Sequence, residues 1–296
     1  MIQRATTPHG VEIAYETFGR ASDPLVLLIM GLGTQMLGWP DGFCQELAGR
    51  GHFVVRFDNR DVGLSTHLYD ARRPDPVAAW SGDFASASYT LSDMAGDTAA
   101  FLDALGYDAA HVVGASMGGM IAQTLVIEHA ERVRSLTSVM SSTGDRKVGQ
   151  ATPAAMEVLM APPARSRQEA MDRVVTSYRE IGSPGYPLDE EALRERAGVS
   201  FDRAYDPFGA GRQLVAILAS GDRTERLRDV HVPTLVIHGA QDPLVQVSGG
   251  RATASAISGA ELVVIDGMGH DLPRQLWPGI AACVAALVEQ AERRHG

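Results

Sequence analysis

The sequence predicts an α/β fold in which a mostly parallel, doubly wound sheet is covered by helices on both faces. Short, continuously apolar runs recur along the chain, and such runs are typical of strands buried on both faces. Segments with helical periodicity lie between these runs, and this alternation indicates parallel strands joined by crossover helices. The 296 residues therefore predict one core, formed by 1–141 and 228–296, with a helical insertion at 142–227.

The strands of this core can be assigned in chain order. Residues 11–18 alternate between apolar and polar and then reach Gly19, which indicates an antiparallel strand that opens the sheet. Six buried strands are predicted after it, at 24–30, 52–58, 109–113, 133–140, 234–238 and 261–265. Helices are predicted between them at 41–50, 91–105 and 117–130.

The insertion lacks buried-strand runs, and helices are predicted in it at 153–160, 166–181, 189–197 and 211–219. Because it connects two core strands, we expect it to lie as a cap or lid above the edge where those strands end. Asp222 and Arg223 either tie the insertion to the core or form a solvated pair. Seven aromatic side chains are candidates for a substrate pocket, with core packing as the alternative for each: Trp39, Trp80, Tyr178, Tyr186, Phe201, Tyr205 and Phe208.

Ser116 lies in the segment 114–118, Gly-Ala-Ser-Met-Gly, between a predicted strand and a predicted helix. A serine in a tight turn between a strand and a helix is the context of a nucleophile elbow. The residues around such a serine must be small because the strained turn brings neighbouring backbone close. The five-residue pattern also occurs by chance, so the context carries the prediction that Ser116 is a nucleophile.

Asp242 and His270 each follow a predicted strand farther along the chain. Residues just beyond the carboxyl ends of parallel strands meet at one edge of the sheet, so both side chains can converge on Ser116. An imidazole can remove the serine proton near pH 7, and a buried carboxylate fixes its tautomer and stabilises the imidazolium. The sequence therefore predicts a catalytic triad of Ser116, Asp242 and His270.

Three other carboxylates are alternatives to Asp242 as the acid of the triad. Asp145 follows the strand at 133–140 but lies well into the loop, and Asp266 and Asp271 are too close to His270 in sequence to orient it from across the site. Histidines at the ends of other elements are expected to be structural, namely His111, His129 and His238.

An oxyanion hole requires two preorganised N–H donors. The residue after the nucleophile, Met117, is expected to supply one of them. The loop after the strand at 24–30 reads Met-Gly-Leu-Gly, and the Leu32 N–H is the best candidate for the second donor. The glycines on either side of Leu32 let this backbone approach a substrate carbonyl.

Composition limits the remaining possibilities. The net charge of −10, without any Lys/Arg-rich run, argues against nucleic-acid binding. The two cysteines, Cys44 and Cys283, are expected to be buried free thiols. Without a signal peptide or a long apolar run, the chain is expected to be cytoplasmic and not to bind membranes. No H-E-x-x-H motif or Cys/His cluster is present, so neither a metal nor a cofactor is expected, and the oligomeric state stays open.

These motifs resemble the α/β-hydrolase fold superfamily, in its serine hydrolase branch. Residues 58–65, Asp-Asn-Arg-Asp-Val-Gly-Leu-Ser, resemble the family's D-x-R-G-x-G-x-S loop, with Asp61 where glycine is usual. Residues 91–95 resemble the helix before the nucleophile strand, and 232–236 resemble the lead-in to the acid strand. Residues 30–31, Met-Gly, together with 37–43, resemble more narrowly the anthracycline (aclacinomycin) methylesterases, in which Met-Gly also replaces the usual His-Gly.

The resemblance implies a serine hydrolase that cleaves a carboxylic ester of a small molecule through an acyl-enzyme. A lactonase, a C–C hydrolase or a cofactor-free perhydrolase would use the same triad, and a non-catalytic binding protein is the alternative of another class. Epoxide hydrolases and haloalkane dehalogenases resemble this family but carry an aspartate in the position of Ser116. Because the His-Gly histidine is absent, that side chain cannot brace the oxyanion loop.

Overall fold

The computed structural model describes residues 1–295 and contains one sheet of eight strands. The strands are β1 (Gln3–Thr6), β2 (Glu12–Phe18), β3 (Leu25–Ile29), β4 (Phe53–Phe57), β5 (Ala110–Ala115), β6 (Val133–Val139), β7 (Thr234–Gly239) and β8 (Glu261–Ile265). Their order is β1-β2-β4-β3-β5-β6-β7-β8. The pairs β1/β2 and β2/β4 are antiparallel and the other pairs are parallel, which confirms the predicted fold class. The edge strand β1 was not predicted, because its residues are mostly exposed and carry no apolar run.

Eleven helices accompany the sheet within residues 1–295. They are α1 (Asp41–Ala48), α2 (Pro76–Trp80), α3 (Leu91–Leu105), α4 (Met117–Glu128), α5 (Pro153–Leu159), α6 (Arg167–Ile181), α7 (Glu190–Arg203), α8 (Gly209–Ser220), α9 (Thr224–Leu227), α10 (Val247–Ala256) and α11 (Trp277–His295). None of them is long and apolar enough to cross a membrane.

The apolar core lies in two layers, one on each face of the sheet. In β3, Leu27 and Ile29 face a layer that includes α3 and α4, while Val26 and Leu28 face a layer that includes α1 and α11. Because successive side chains of a strand point to opposite faces, both sets must be apolar. This double burial explains why β3 to β7 have continuous apolar runs. The prediction of a buried strand at 261–265 is wrong in its burial: β8 is an edge strand, and its residues are exposed or half-buried because no strand follows it in the sheet.

The register brings the carboxyl ends of the central strands into line. Ala115 at the end of β5 pairs with Val139 of β6, and Gly239 at the end of β7 pairs with Ile265 at the end of β8. The segments that follow these strands therefore leave the sheet at the same edge, and these segments contain all the predicted side chains of the triad.

The region between β6 and β7, residues 142–227, is here called the helical segment and contains α5 to α9. Helix α7 ends at Arg203, later than predicted. Gly198 stays inside this helix, and a side chain there would collide with the Arg167 guanidinium of α6. Arg223 is buried and donates to Gln123 of α4 and to the Ser142 carbonyl, so it binds the helical segment to the core, whereas Asp222 is exposed.

The structure decides between the two alternatives for Trp39 and corrects the expected burial of Cys283. Trp39 is fully buried and stacks on Phe43 with ring centroids 5.4 Å apart, so it belongs to the core and does not line a pocket. Cys44 is buried as expected, and burial raises the pKa of its thiol to about 12. Cys283 on α11 is only partly buried, because it lies at the margin of the apolar layer that contains α1.

Candidate active site

Ser116 occupies the turn between β5 and α4 in a strained conformation, with φ 54° and ψ −118°. A side chain at Gly114 would collide with the Gly118 carbonyl, and one at Gly118 would collide with the Ile29 carbonyl. The small residues around the serine are therefore required by close backbone packing. The Ser116 N–H donates to the Val139 carbonyl at 2.9 Å, and Ser141 Oγ donates to the Ser116 carbonyl at 2.8 Å.

The structure brings Ser116, His270 and Asp242 into one hydrogen-bonded chain. His270 Nε2 lies 3.0 Å from Ser116 Oγ, and His270 Nδ1 lies 2.7 Å from Asp242 Oδ2. The other carboxylate oxygen of Asp242 accepts the N–H groups of Leu244 and Val245, each at 2.9 Å. Both oxygens of Asp242 are thus held, which leaves the imidazole one orientation, with Nδ1 on the carboxylate and Nε2 on the serine.

His238 supports this arrangement from β7. Its Nε2 donates to the Val245 carbonyl at 2.7 Å and lies 3.6 Å from Asp242 Oδ2. Burial lowers the pKa of His238, so the ring is neutral and carries its proton on Nε2. Because His238 is neutral and donates its proton to Val245, the Asp242 carboxylate hydrogen-bonds to His270 and not to His238.

None of the three alternative carboxylates bonds to His270. Asp145 accepts the Lys147 N–H at 2.9 Å, and Asp266 accepts Gln241 Nε2 at 2.9 Å. Asp271 accepts the Ser183 hydroxyl, and burial raises the pKa of its carboxyl. Each of these carboxylates hydrogen-bonds to another group, whereas Asp242 hydrogen-bonds to the imidazole of His270.

The loop that carries His270 is also bound to the helical segment, which the sequence did not indicate. The His270 N–H donates to the Ile181 carbonyl at 2.7 Å, and the Gly269 N–H donates to Ser183 Oγ at 2.8 Å. Ile181 and Ser183 lie at the carboxyl end of α6, so this end of the helix fixes the backbone of the histidine loop. Such contacts carry no sequence signal, because one acceptor is a backbone carbonyl and the other is the hydroxyl of a single serine.

The loop after β3 lies directly against the serine. A Cβ placed on Gly31 would lie 3.2 Å from Ser116 Cβ and 3.7 Å from Ser116 Oγ. Among the hydrogen bonds of residues 1–295, neither the Leu32 nor the Met117 N–H serves as a donor. Both amides next to the serine are therefore unused by the protein, as donors of an oxyanion hole have to be.

Asp61, which stands where the resemblance expects glycine, has a positive φ of 68° and is buried. Its carboxylate accepts Arg212 Nε at 2.8 Å, Arg212 Nη2 at 2.7 Å, the Tyr89 hydroxyl at 2.7 Å and the Leu68 N–H at 2.8 Å. Arg212 also donates to Asp206, and Asp206 Oδ2 is 3.0 Å from His67 Nδ1. This charge network binds α8 to the loop after β4 and holds Asp61 in its strained conformation.

Asp61, His67 and Asp206 are close enough to one another to suggest a metal site. The Arg212 guanidinium already bonds both carboxylates, so the cluster contains its own cation. Electrostatic repulsion from this buried guanidinium opposes the binding of a divalent ion there. The donor set therefore fits an ion-pair network that holds α8 in place.

Known proteins similar to this chain include several hydrolases. A rhodomycin D methylesterase from Streptomyces sp. (strain C5) is 30% identical, with 97% of this chain and 98% of the relative covered. A 3-oxoadipate enol-lactonase from Acinetobacter baylyi is 27% identical, with 88% and 87% covered. Among solved structures, the enol-lactonase from Burkholderia xenovorans LB400 matches with a TM-score of 0.74 and 23% identity, over 97% of this chain and 100% of that chain.

The first of these relatives confirms the resemblance to anthracycline methylesterases that residues 30–31 and 37–43 carry. The family model of the alpha/beta hydrolase fold matches residues 24–273, a range that contains β3 to β8 and the whole serine, aspartate and histidine arrangement. This chain belongs to the α/β hydrolase fold family.

Proposed function

We propose that this chain is a serine hydrolase that cleaves a carboxylic ester through an acyl-enzyme on Ser116. The observation that carries the proposal is the hydrogen-bonded chain from Ser116 Oγ to His270 Nε2 at 3.0 Å and from His270 Nδ1 to Asp242 Oδ2 at 2.7 Å. A carboxylesterase-like activity agrees with the esterases and related hydrolases to which the chain is similar.

In the acylation half of the reaction, His270 Nε2 takes the Ser116 proton as the oxygen attacks the ester carbonyl. Asp242 keeps the other imidazole proton on Nδ1 and stabilises the imidazolium that forms. The unused N–H groups of Leu32 and Met117 bind the negatively charged oxygen of the tetrahedral intermediate. His270 then gives its proton to the leaving alcohol, and the acyl group stays on Ser116.

In the deacylation half, a water molecule replaces the alcohol. His270 Nε2 takes a proton from this water, which attacks the acyl carbonyl and forms a second tetrahedral intermediate held by the same two N–H groups. Collapse of this intermediate returns the proton to Ser116 and releases the carboxylic acid. Every proton in both halves is moved by His270, and no cofactor is proposed.

The proposed substrate is the methyl ester of a small molecule. The relatives at 30% and 29% identity, which match 97% of this chain, are named methylesterases. An enol-lactone is the second candidate, because enol-lactonases occur among both the sequence relatives and the similar structures. In a lactone, the leaving oxygen remains attached to the acyl group, but the same side chains would carry out each step.

The helical segment, 142–227, is proposed as the cap over this site, and 1–141 with 228–296 as the hydrolase core. Two contacts support this division: the carboxyl end of α6 binds the histidine loop, and α8 binds the loops after β3 and β4. The segment therefore touches the catalytic edge of the sheet on two sides. A cap in this position excludes water and selects the substrate. A cytoplasmic location is kept as a prediction.

The test is a matched panel of methyl esters, longer alkyl esters and enol-lactones of similar acyl groups. We expect methanol release from at least one methyl ester at a higher kcat/KM than from its longer alkyl counterpart, and no turnover with Ser116→Ala. Faster turnover of lactones would move the assignment to the second candidate. Turnover by Ser116→Ala at the wild-type rate would contradict the mechanism.

A further inference from the structure

The oxyanion loop at 30–33 lacks the usual histidine brace, yet it has to hold one N–H against the substrate. Two of its four residues are glycines, and Gly33 has a positive φ of 63°. A loop of this composition is flexible unless contacts from outside fix it. An oxyanion donor stabilises the transition state only when its position is fixed before the reaction begins.

The backbone of this loop hydrogen-bonds to Thr34, to Asn59 and to the helical segment. The Gly31 carbonyl accepts the Thr34 N–H at 3.3 Å, and the Leu32 carbonyl accepts Thr34 Oγ1 at 3.1 Å. The Leu32 N–H is the unused donor beside Ser116. The Met30 carbonyl accepts Asn59 Nδ2 at 2.9 Å, and the Gly33 N–H is donated to the helical segment.

Gln213 of α8 receives this N–H. Its Oε1 accepts the Gly33 N–H at 2.7 Å, and its Nε2 donates to the Arg60 carbonyl at 2.8 Å. The side chain is fully buried and uses both ends of its amide, one on the loop after β3 and one on the loop after β4. Because the amide has a donor at one end and an acceptor at the other, it fits this position in one orientation only.

Helix α8 is itself held firmly at this point. The neighbouring residue, Arg212, bonds the buried Asp61 carboxylate through two nitrogens. A Cβ placed on Gly33 would lie 3.0 Å from Ala210 Cβ, so the first turn of α8 packs directly on the oxyanion loop. The Asp61 that departs from the family pattern thus anchors the helix that carries Gln213.

We propose that Gln213 is a positioning residue for the reaction, which fixes the oxyanion loop so that the Leu32 N–H faces the substrate carbonyl oxygen. This role rests on the serine hydrolase function proposed above. It takes the place of the missing histidine brace, and it makes α8 part of the catalytic apparatus as well as part of the cap. Because Gln213 is fully buried and both ends of its amide are used by the protein, we expect it to affect kcat more than substrate binding.

The experiment compares Gln213→Met, which keeps the side-chain length but removes both hydrogen bonds, with the matched control Ser220→Ala on the same helix. Ser220 Oγ accepts the Leu91 N–H at 2.8 Å, so this control also removes one hydrogen bond between α8 and the core, away from the oxyanion loop. Loss of one oxyanion donor typically lowers kcat by about 10²–10³-fold. Because the donor is loosened and not removed, we expect kcat of Gln213→Met to fall by about 10- to 100-fold, with KM within about threefold.

Two further variants separate positioning from general stability. Gln213→Glu keeps an acceptor for the Gly33 N–H, and we expect its kcat to lie between those of the wild type and Gln213→Met. If Gln213→Met does not fold, Gln213→Asn, which is one methylene too short to reach both partners, decides the same question. Hydrogen exchange read by mass spectrometry is expected to show faster exchange of the Gly33 amide in Gln213→Met and no change there in Ser220→Ala.

A kcat of Gln213→Met within twofold of the wild type would overturn the inference. An equal loss of kcat in Ser220→Ala would overturn it as well, because the effect would then come from loosening α8 as a whole. In both cases Ser116→Ala would still be inactive, and the proposed function would stand. Turnover by Ser116→Ala would instead refute the proposed function and, with it, the role of Gln213.

Discussion

The buried histidines of the sheet core and the buried arginines of the helical segment differ in their charge. In the core, burial lowers the pKa of His52, His111 and His238, so these side chains are buried as neutral rings. The helical segment is attached through charged guanidinium groups: Arg212 is 2% exposed and Arg223 is 3% exposed. Arg203 reaches the buried Asp58 carboxylate at 2.9 Å.

This difference follows from the contacts that hold each region in the fold. The core strands are held mainly by apolar layers on both faces of the sheet, so their placement does not depend on the polar groups buried among them. Helices α6 and α7 bury few residues, Val175 and Ile181 in one and Leu193 and Gly198 in the other. Specific polar contacts must therefore fix the helical segment against the core, and these same contacts reach the His270 and oxyanion loops. The proposed reactive groups come from the core, and part of their positioning comes from the helical segment.

The largest expected effect tests the core side of this comparison. Ser116→Ala removes the proposed nucleophile at a turn that accepts alanine, so the fold should be kept. We expect kcat for ester hydrolysis to fall by at least about 10³-fold, measured in steady state with circular dichroism as the folding control. Retention of most of the activity would show that another group attacks the ester.

Asp242→Asn tests whether the carboxylate of the core sets the imidazole tautomer. An amide can donate to Nδ1 and stabilise the wrong tautomer, so kcat should fall by about 10²–10⁴-fold with a smaller change in KM. The matched control is Asp266→Asn, which changes a carboxylate on the next loop that does not reach His270 and should leave kcat nearly unchanged. A near-wild-type kcat for Asp242→Asn would move the acid role elsewhere.

Arg212→Met tests the helical segment's dependence on buried charge. It leaves the carboxylates of Asp61 and Asp206 without their cation, and breaking a buried pair in this way typically costs about 3–5 kcal/mol. The control is Arg179→Met, which removes an exposed pair with Glu190 within the same segment and should cost less than about 1 kcal/mol. The free energy of unfolding of both variants is measured in urea. Equal losses in the two variants would contradict the distinction between the buried and the exposed ion pair.

His111 tests the neutral burial of polar groups in the core. Burial lowers its pKa to about 4, while the Ser135 hydroxyl lies 2.8 Å from Nδ1. Between the ordinary histidine pKa of about 6.5 and about 4, the unfolded chain binds a proton that the folded chain does not. The free energy of unfolding should therefore fall as the pH decreases through this window.

In His111→Gln the contribution of His111 to the pH dependence of the free energy of unfolding should vanish. The slope of this free energy against pH should then be smaller by at most about 1.4 kcal/mol per pH unit. The measurement is urea unfolding of both proteins at several pH values between 4 and 7. Parallel pH profiles for the two proteins would contradict the lowered pKa of His111, because they would mean that this residue has the same pKa in the folded and unfolded chains.

The sequence predicted the core well because each buried strand needs apolar side chains on both faces. The runs that became β3 to β8 were assigned within one or two residues, and Ser116, Asp242 and His270 followed from their places after strands. The strand β1 and the helices α2, α9, α10 and α11 are not among the predicted elements; β1, α2 and α9 are too short to give a periodic signal. Catalytic roles for the three residues remain predictions.

The contacts of the helical segment could not be predicted in the same way. Arg212 and Gln213 are ordinary polar residues in an amphipathic helix, and only the fold shows that both are buried against the loops after β3 and β4. The sequence shows that Asp61 departs from the family pattern, but its partner, Arg212, lies 151 residues away in the chain. Long-range pairs of polar side chains leave no periodic pattern in a single sequence.

The central claim is that Ser116 forms the covalent intermediate, and active-site labelling tests it most directly. The protein is incubated with a fluorophosphonate, digested, and the modified peptide is identified by mass spectrometry. We predict one adduct per chain, on Ser116, with labelling abolished in Ser116→Ala and strongly slowed in His270→Ala. An adduct on a different residue, or labelling of Ser116→Ala at the wild-type rate, would contradict the account.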